Sequence, residues 1–369
     1  MKVFVFLLAV SAVCAFPDHL LAPGLPVEET GGEEFVPEPY PENGPDKVPV
    51  VIDNQEYALI PEIDGKFRIV NVQEALNEEP ENFFNPETDV HFLLFTQSNP
   101  TNGQTVIRNN AASLAASNFN PSHPTRILIH GWNGSPSAAS NTLARNAYMQ
   151  RGNFNVFVVD WSAGAQTANY VSARNRVGPT GTVVGNFIHF LVNSGGAQRS
   201  QVSVIGHSLG AHVAGFAGKN HPNPQIASVV GLDPAWPLFD ANNPATRMDR
   251  TDAAYVESIH TNAGLLGFTV PIGDATFYPN GGSSQPGCGI DVSGACAHAR
   301  SNQFFAESIN TISHFYAVRC PGGHDQILSG TCPQTGAARR KSGEPLDTTY
   351  HGVFWLPTNS ASPFAMGRI

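Results

Sequence analysis

The sequence is poor in cysteine and in charged residues, and it has no long apolar run. Five of its 369 residues are cysteine, and none has the Cys-x-x-Cys spacing, which disfavours a structural zinc site. Charged residues make up 14%, and the net charge of −10 gives no reason to expect a nucleic-acid partner. No apolar run reaches the roughly 20 residues that cross a bilayer. No internal repeat is apparent, so a solenoid or a propeller is not expected.

The opening residues, MKVFVFLLAVSAVCAFP, have the pattern of a secretory signal peptide. Lys2 supplies a positive charge, Val3–Val10 form a short apolar core, and small residues lead up to Ala15. We therefore expect residues 1–15 to be removed and the protein to be secreted to the extracellular space. The alternatives are a buried N-terminal strand and a membrane anchor, and the apolar run is too short for the anchor.

Removal of the signal peptide would take Cys14 with it and leave four cysteines. An even number of cysteines in a secreted chain predicts disulfides. Local pairing closes the shortest loops, so we expect two bridges, Cys288–Cys296 and Cys320–Cys332.

Acidic residues are concentrated near the N-terminus. Residues 17–90 include 18 acidic and three basic side chains, whereas residues 91–369 include 12 acidic and 16 basic ones. We expect residues 16–82 to be an acidic N-terminal extension. Its stretch VEETGGEEFVPEPYPENGPDKVPV is rich in Pro and Glu and has little to bury, so we expect that stretch to be mobile or extended. A trypsin-like protease acting at Arg68 would make it a propeptide. The alternative is that Arg68 is an ordinary solvated arginine.

Residues 83–369 alternate strand-like and helix-like segments. The strand candidates are the apolar runs VHFLLFT, TRILIHGW, FNVFVVDW, QVSVIGHS, IASVVGLDP and AAYVESIHT, and the clearest helix candidates are SPSAASNTLARNAYMQR and TVVGNFIHFLVNSG. Strands that alternate with helices predict an α/β fold with a mostly parallel central sheet and helices on both faces.

One junction of strand and helix carries the motif Gly-His-Ser-Leu-Gly. The run QVSVI before it is typical of a strand, and LGAHVAGFAG after it is typical of a helix. A sharp turn between the two requires a strained central residue, Ser208, and glycine at both flanking positions. The start of the following helix favours developing negative charge. The motif therefore predicts that Ser208 is a nucleophile.

A nucleophilic serine needs a base, and the base needs an orienting acid. In the arrangement that this turn typifies, the acid and then the histidine follow the serine along the chain. Asp233 ends the next strand and fits the acid, whereas Asp160 precedes Ser208 and is interpreted as structural. For the base, His260 and His298 both remain candidates, and spacing favours His298 only mildly.

From about Asp89 to near its C-terminus the chain resembles the pancreatic lipase family of secreted esterases, including its insect members. The stretches that carry the resemblance, in order, are FLLFTQSNP, ILIHGWNGS, VFVVDWS, VIGHSLGAHVAGFAGK, GLDPAWP, RMDRTDAAYVESIHTN, FYPNGG and CAHARSNQFFAESI. The resemblance implies the α/β-hydrolase fold, and we expect one catalytic domain over residues 83–369.

The resemblance also implies roles for single residues. The family's nucleophile falls on Ser208, its acid on Asp233 and its base on His298, so that His260 becomes structural. Its oxyanion hole, built from two backbone N–H groups, falls on Trp132 and Leu209. The chemistry requires no cofactor.

Members of the family also hold a structural calcium ion. Its ligands fall on the carboxylates of Asp249 and Asp252, with backbone carbonyls of Arg247 and Pro244. Oxygen ligands suit Ca²⁺. The alternative is a solvated turn that carries two acids and two arginines.

Three departures from the family's type concern the substrate. The disulfide loop before the base encloses only GIDVSGA, too few residues for a lid. The segment NAGLLGFTVPIGDAT, which corresponds to a wall of the acyl groove, is also short, and the chain ends where some members continue into a C-terminal β-sandwich domain. We therefore expect no such domain and no colipase partner.

A short lid with a short wall is the pattern of the family's phospholipases A1. We therefore expect a secreted phospholipase A1 that hydrolyses the sn-1 acyl ester of a lipid at a membrane, micelle or lipoprotein surface. The alternatives are a triacylglycerol or galactolipid lipase and a non-catalytic lipid-binding or yolk-type protein.

Overall fold

The β-branched runs predicted as strands assemble into one sheet of eleven strands in the computed structural model, which describes residues 50–78, 84–310 and 314–368. The predicted signal peptide and the extension up to residue 49 lie outside the described residues. In chain order the strands are β1 (Val50–Ile52), β2 (Gln55–Pro61), β3 (Phe67–Asn71), β4 (His91–Phe95), β5 (Gln104–Thr105), β6 (Thr125–Ile129), β7 (Asn155–Asp160), β8 (Val202–His207), β9 (Ser228–Leu232), β10 (Val256–Ile259), β11 (Ala275–Pro279), β12 (Phe315–Arg319), β13 (Arg339–Lys341) and β14 (Gly352–Leu356).

The two helix candidates are confirmed, as α4 and α7. The helices are α1 (Val72–Leu76), α2 (Pro86–Asp89), α3 (Ala111–Ala115), α4 (Ala139–Arg151), α5 (Ser162–Ala165), α6 (Tyr170–Asn175), α7 (Val177–Gly195), α8 (Leu209–Lys219), α9 (Ala295–Asn310) and α10 (Gly323–Leu328), with short 3₁₀ turns at Arg199–Gln201 and Pro244–Thr246. In the part of the chain that the structure describes, no helix has the length and apolarity needed to cross a membrane.

The central sheet is mostly parallel. Its strand order is β13-β12-β14-β11-β10-β9-β8-β6-β7-β4-β5. Neighbours from β14 to β7 are parallel, and the strands at both edges are antiparallel. Because the carboxyl ends of parallel strands meet at one edge, the residues that follow β6, β8, β9 and β10 are brought together.

Helices cover both faces of this sheet, as predicted. Along β6, Ile127 and Ile129 join the core cluster that contains the apolar sides of α7 and α8. Leu128, between them, joins the cluster that contains those of α4 and α9. The alternation follows from the two-residue period of a strand, and it makes the sheet the middle of three layers.

The Pro- and Glu-rich stretch expected to be mobile or extended lies outside the described residues up to residue 49, whereas the rest of the predicted extension is regularly folded between residues 50 and 78. There, β1, β2 and β3 form a three-stranded antiparallel sheet, which α1 follows. Ala58 and Ile60 alternate with exposed residues and are buried in the core cluster of α7 and α8. The acidic composition of the whole stretch concealed this local alternation, which begins after the Pro- and Glu-rich part.

Candidate active site

Ser208 lies in the sharp turn between β8 and α8, with φ 57° and ψ −125°. The two flanking glycines are required by contact as well as by the turn. A Cβ on Gly206 would lie 2.0 Å from the carbonyl oxygen of Gly210, and a Cβ on Gly210 would lie 2.4 Å from that of Ile129. Both are backbone collisions that a side chain could not relieve. The predicted strand-turn-helix geometry around Ser208 is confirmed.

A third glycine beside Ser208 escaped the sequence reasoning. A Cβ on Gly131 would lie 2.7 Å from the Cβ of Ser208. Gly131 follows β6, which is the direct neighbour of β8 in the sheet. The sequence signal for this glycine was the pair His130-Gly131 after β6. Trp132 is the next residue, and it lines the same pocket as Ser208. Leu209 is the first residue of α8, where the amide has no acceptor within the helix.

Asp233 and His298 form a hydrogen-bonded pair. His298 Nδ1 lies 2.5 Å from Asp233 Oδ2, and the Asp233 side chain is fully buried. The other carboxylate oxygen, Oδ1, accepts hydrogen bonds from the backbone N–H of Thr261 at 2.6 Å and of Asn262 at 3.0 Å. The loop after β10 thus fixes the carboxylate. Nδ1 donates to that carboxylate, which leaves Nε2 of His298 able to accept a proton.

The disulfide Cys288–Cys296, predicted from loop length, holds the element that carries His298. Cys296 is the second residue of α9 and His298 the fourth. The N–H of Ala297 donates to the Asp291 carboxylate at 2.7 Å, which ties the loop to the helix start. The second predicted bridge, Cys320–Cys332, is also present.

His207 contacts His298, a role for His207 that sequence reasoning missed. Its ring centroid lies 4.4 Å from that of His298, and its Nε2 donates to the His298 carbonyl at 3.2 Å. Burial holds the pKa of His207 well below its ordinary value, so the ring is neutral. His207 is the variable residue of the Gly-x-Ser-x-Gly motif, and no local pattern links it to a partner 91 residues away.

His260, the other candidate base, is fully buried outside the pocket. Its Nδ1 is hydrogen-bonded to the carbonyl of Phe268 and its Nε2 to the hydroxyl of Ser258. Burial lowers the pKa of His260 to about 4. It ties β10 to the segment before β11 and is placed as a structural residue.

The two acids of the predicted calcium site already have protein partners. Asp249 accepts from Arg247 on one carboxylate oxygen and from Thr251 on the other. Asp252 accepts from the Lys219 ammonium on one oxygen and from the backbone N–H of Asp249 on the other. Since two cationic side chains hold these carboxylates, the residues as arranged do not fit a calcium ion. Calcium binding there stays a prediction, and no chemical step is derived from it.

Ser208, His207 and His298 line one pocket of about 420 Å³. Trp132, Tyr170 and Leu266 provide apolar walls. The Trp132 indole is fixed by a hydrogen bond from Nε1 to the Thr167 carbonyl at 2.9 Å and by edge-on packing against Tyr170 at 5.3 Å between ring centroids. A group that reacts with Ser208 would therefore have its apolar portion against aromatic and aliphatic side chains.

Comparison with known proteins places this site in a family. Residues 66–364 match the family described as Lipase. Human pancreatic triacylglycerol lipase is 34% identical over 314 residues, covering 76% of this chain and 66% of that protein. Lipase member H of Oryctolagus cuniculus is 34% identical over 263 residues, covering 69% and 56%. Mouse inactive pancreatic lipase-related protein 1 is 34% identical over 316 residues, covering 76% and 64%.

The chain thus spans no more than about two thirds of the length of these relatives. The family match, in contrast, covers most of the chain and includes the sharp turn at Ser208, the Asp233–His298 pair and the last three strands in chain order. The chain belongs to the Lipase family and has its α/β-hydrolase fold.

Proposed function

We propose that the protein is a serine hydrolase of carboxylic esters that acts on glycerolipids. The observation that carries this proposal is the strained Ser208 in the same pocket as His298, whose Nδ1 is held by Asp233. His207 has its Nε2 on the His298 carbonyl, and His130 does not line the pocket, so His298 is the base that the geometry favours.

The reaction follows from these positions. Nε2 of His298 takes the proton of the Ser208 hydroxyl as Oγ attacks the ester carbonyl. The N–H groups of Trp132 and Leu209 stabilise the oxyanion, and loss of one such donor typically costs about 100- to 1,000-fold in rate. His298 then protonates the leaving alcohol. Water, activated by the same histidine, cleaves the acyl-enzyme and releases the fatty acid.

Labelling with a fluorophosphonate tests the nucleophile. We expect the native protein to be labelled and Ser208→Ala to be unlabelled, with ester hydrolysis reduced by about 10⁴-fold or more. Undiminished label on Ser208→Ala, or no label on the folded native protein, would disprove the proposal. The second outcome would favour a non-catalytic lipid-binding or yolk-type protein, and one mouse relative has "inactive" in its name.

Within this class we propose a phospholipase A1. The seven residues between Cys288 and Cys296 are too few to cover the pocket, which leaves it open to polar headgroups. A triacylglycerol lipase is the second candidate, and the exposed side chains of Ile290 (95%) and Val292 (79%) on that loop favour it, since they suit contact with an apolar surface.

Phosphatidylcholine, triolein and a galactolipid offered side by side distinguish these candidates. We expect the highest rate on phosphatidylcholine, with release of the sn-1 chain from a lipid labelled differently at its two positions. Faster hydrolysis of triolein would contradict the phospholipase A1 proposal. The same assay with EDTA and with added calcium tests the calcium prediction. A thermal melt with EDTA completes the test, because removal of a bound structural ion would lower the melting temperature.

We propose further that the protein is secreted and meets its substrate at a membrane, micelle or lipoprotein surface. The two disulfides support an oxidising compartment. Expression with the native N-terminus tests secretion: the protein should appear in the medium, and the mature chain should start at Phe16 or later.

A further inference from the structure

One side of the pocket is built from the region expected to be an extension. The turn between β2 and β3 contributes six residues to the pocket lining, whereas the short disulfide loop contributes only Ser293 and Ala295 among the residues that the structure describes. The turn residues that line the pocket are Pro61, Glu62, Ile63, Gly65, Lys66 and Phe67. The hairpin therefore contributes more of the pocket lining than the disulfide loop does.

The turn is held in place by packing at its base. Ile60, one residue before it, is 1% exposed in the core shared with α7 and α8. β2 and β3 are paired along their length, with Pro61 opposite Phe67. Val72 and Ala75 of α1, after β3, are buried in the same core. A wall of a binding site needs this kind of support.

The turn itself is tight and lies close to the disulfide loop. The N–H of Glu62 donates to the carbonyl of Lys66 at 2.8 Å, and Gly65 has a left-handed φ of +80°. A Cβ built on Gly65 would lie 3.5 Å from the Cβ of Ser293, in van der Waals contact. The two segments thus lie next to each other along the pocket lining.

Charges on the turn cancel in pairs. Lys66 lies 2.6 Å from Asp64, and Arg68 lies 3.4 Å from Glu62. The turn and Arg68 together therefore carry no net charge, and the uncharged side chains of the turn, Pro61, Ile63 and Phe67, are apolar. Such a surface suits an acyl chain.

We propose that the turn Pro61–Phe67 is the acyl-chain wall of the substrate site, with Ile63 and Phe67 setting the preferred chain length. This inference rests on the proposed ester hydrolysis. It also changes the meaning of a cut at Lys66 or Arg68, because cleavage there would remove part of the substrate site rather than an inhibitory propeptide.

Chain-length profiles test the wall. kcat/KM is measured for p-nitrophenyl butyrate, octanoate and dodecanoate on the wild type and on Ile63→Ala/Phe67→Ala. A buried methylene contributes roughly fourfold to binding. We expect the variant to lose about 10-fold or more on dodecanoate and to stay within about twofold on butyrate, whose short chain does not need the wall.

The chain supplies a matched control in Ile69→Ala. Ile69 lies on the same hairpin and is 68% exposed against 61% for Ile63, but it does not line the pocket. Its profile should match that of the wild type. Ile63→Ala alone, at an exposed position, keeps the test available if the double variant does not fold.

Three outcomes would overturn the wall. These are a double-variant profile that superimposes on the wild-type profile, an equal loss in Ile69→Ala, and a rise in rate for every ester, which would make the hairpin a plug. Failure of the proposed function is distinct, because the wild type would then not hydrolyse butyrate. A trypsin cut after Lys66 should likewise lower the dodecanoate rate, and activation on cutting would restore the propeptide interpretation.

Discussion

The position of Ser208 requires glycine at three nearby positions. Gly206, Gly210 and Gly131 each leave room for backbone or for the serine itself, and each collision would be with an atom that cannot rotate away. The motif in the sequence showed two of them because they are local. The third depends on the pairing of β6 with β8, which no local pattern contains.

Gly210→Ala should separate catalytic geometry from stability. The new Cβ would lie 2.4 Å from the carbonyl oxygen of Ile129 and 2.5 Å from that of His130, so the turn that carries Ser208 must shift. We expect kcat on butyrate to fall by about 100-fold, the loss that a misplacement of about 1 Å causes. Gly178→Ala, where the Cβ would meet Phe216 at an ordinary 3.6 Å, is the control and should keep wild-type kcat. Equal kcat in both variants would contradict the argument.

His212 shows how a buried histidine can couple stability to pH. Its Nδ1 accepts from the N–H of Met248 at 3.0 Å, and its Nε2 donates to the carbonyl of Ala235 at 2.6 Å. This arrangement requires the neutral ring, and burial lowers the pKa of His212 to about 3. In the unfolded chain the pKa is about 6.5. Between these values the unfolded state binds a proton that the folded state does not, so stability falls as the pH falls.

We predict that this loss is absent in His212→Gln. The difference in free energy of unfolding between wild type and variant should shrink by about 1.4 kcal/mol per pH unit from pH 6 to pH 4. Urea denaturation at several pH values measures it, and effects of other groups cancel in the difference. Parallel curves for the two proteins would show that His212 is not the source.

At the scale of elements, the sequence predicted the middle of the sheet better than its ends. The runs that became β4, β6, β7, β8, β9 and β10 are β-branched and lie between helical patterns. β11, β12 and β14 were not predicted, because the segments around them are rich in Gly and Pro and only α9 separates β11 from β12. β1, β2 and β3 were concealed by the charge of the region.

In the active site, too, the sequence predicted contacts between neighbouring residues better than contacts between distant ones. The pairing Cys288–Cys296 could be predicted, since the cysteines are eight residues apart. The contact between His298 and Asp233, 65 residues apart, could not be derived from spacing, and only the family resemblance distinguished His298 from His260. The hairpin beside the pocket was not anticipated at all.

The two disulfides should have different consequences. Cys288–Cys296 holds the first turn of α9, which carries His298, whereas Cys320 and Cys332 lie in a separate apolar cluster that does not line the pocket. Replacing the first pair by serine should lower kcat by about 10-fold or more. Replacing the second should leave kcat unchanged while removing about 2–4 kcal/mol of stability. Steady-state rates and thermal melts of both variants measure this, and equal effects on kcat would contradict it.

Over the whole molecule, a buried ion pair fastens the C-terminal region to the centre of the sheet. Arg126 of β6 donates from Nε and Nη2 to the two carboxylate oxygens of Glu344, at 2.9 and 3.0 Å, across 218 residues of chain. Their side chains are 9% and 10% exposed. The rest of the guanidinium donates to the carbonyls of Thr125 and Gln201. Glu344 therefore neutralises a charge in the interior of the domain.

Glu344→Gln should be costly because it leaves the Arg126 charge buried without its counter-charge. Breaking one side of a buried pair typically costs about 3–5 kcal/mol, and the retained amide oxygen should keep the loss near 3 kcal/mol. The exposed pair Arg339–Asp347, at 3.0 Å with side chains 47% and 39% exposed, is the matched control, and Asp347→Asn should cost less than about 1 kcal/mol. Urea denaturation of the two variants measures both. If the costs are equal, the link between the C-terminal region and the sheet rests on apolar packing of β11 and β14, and Arg126 is reached by water once Glu344 is changed.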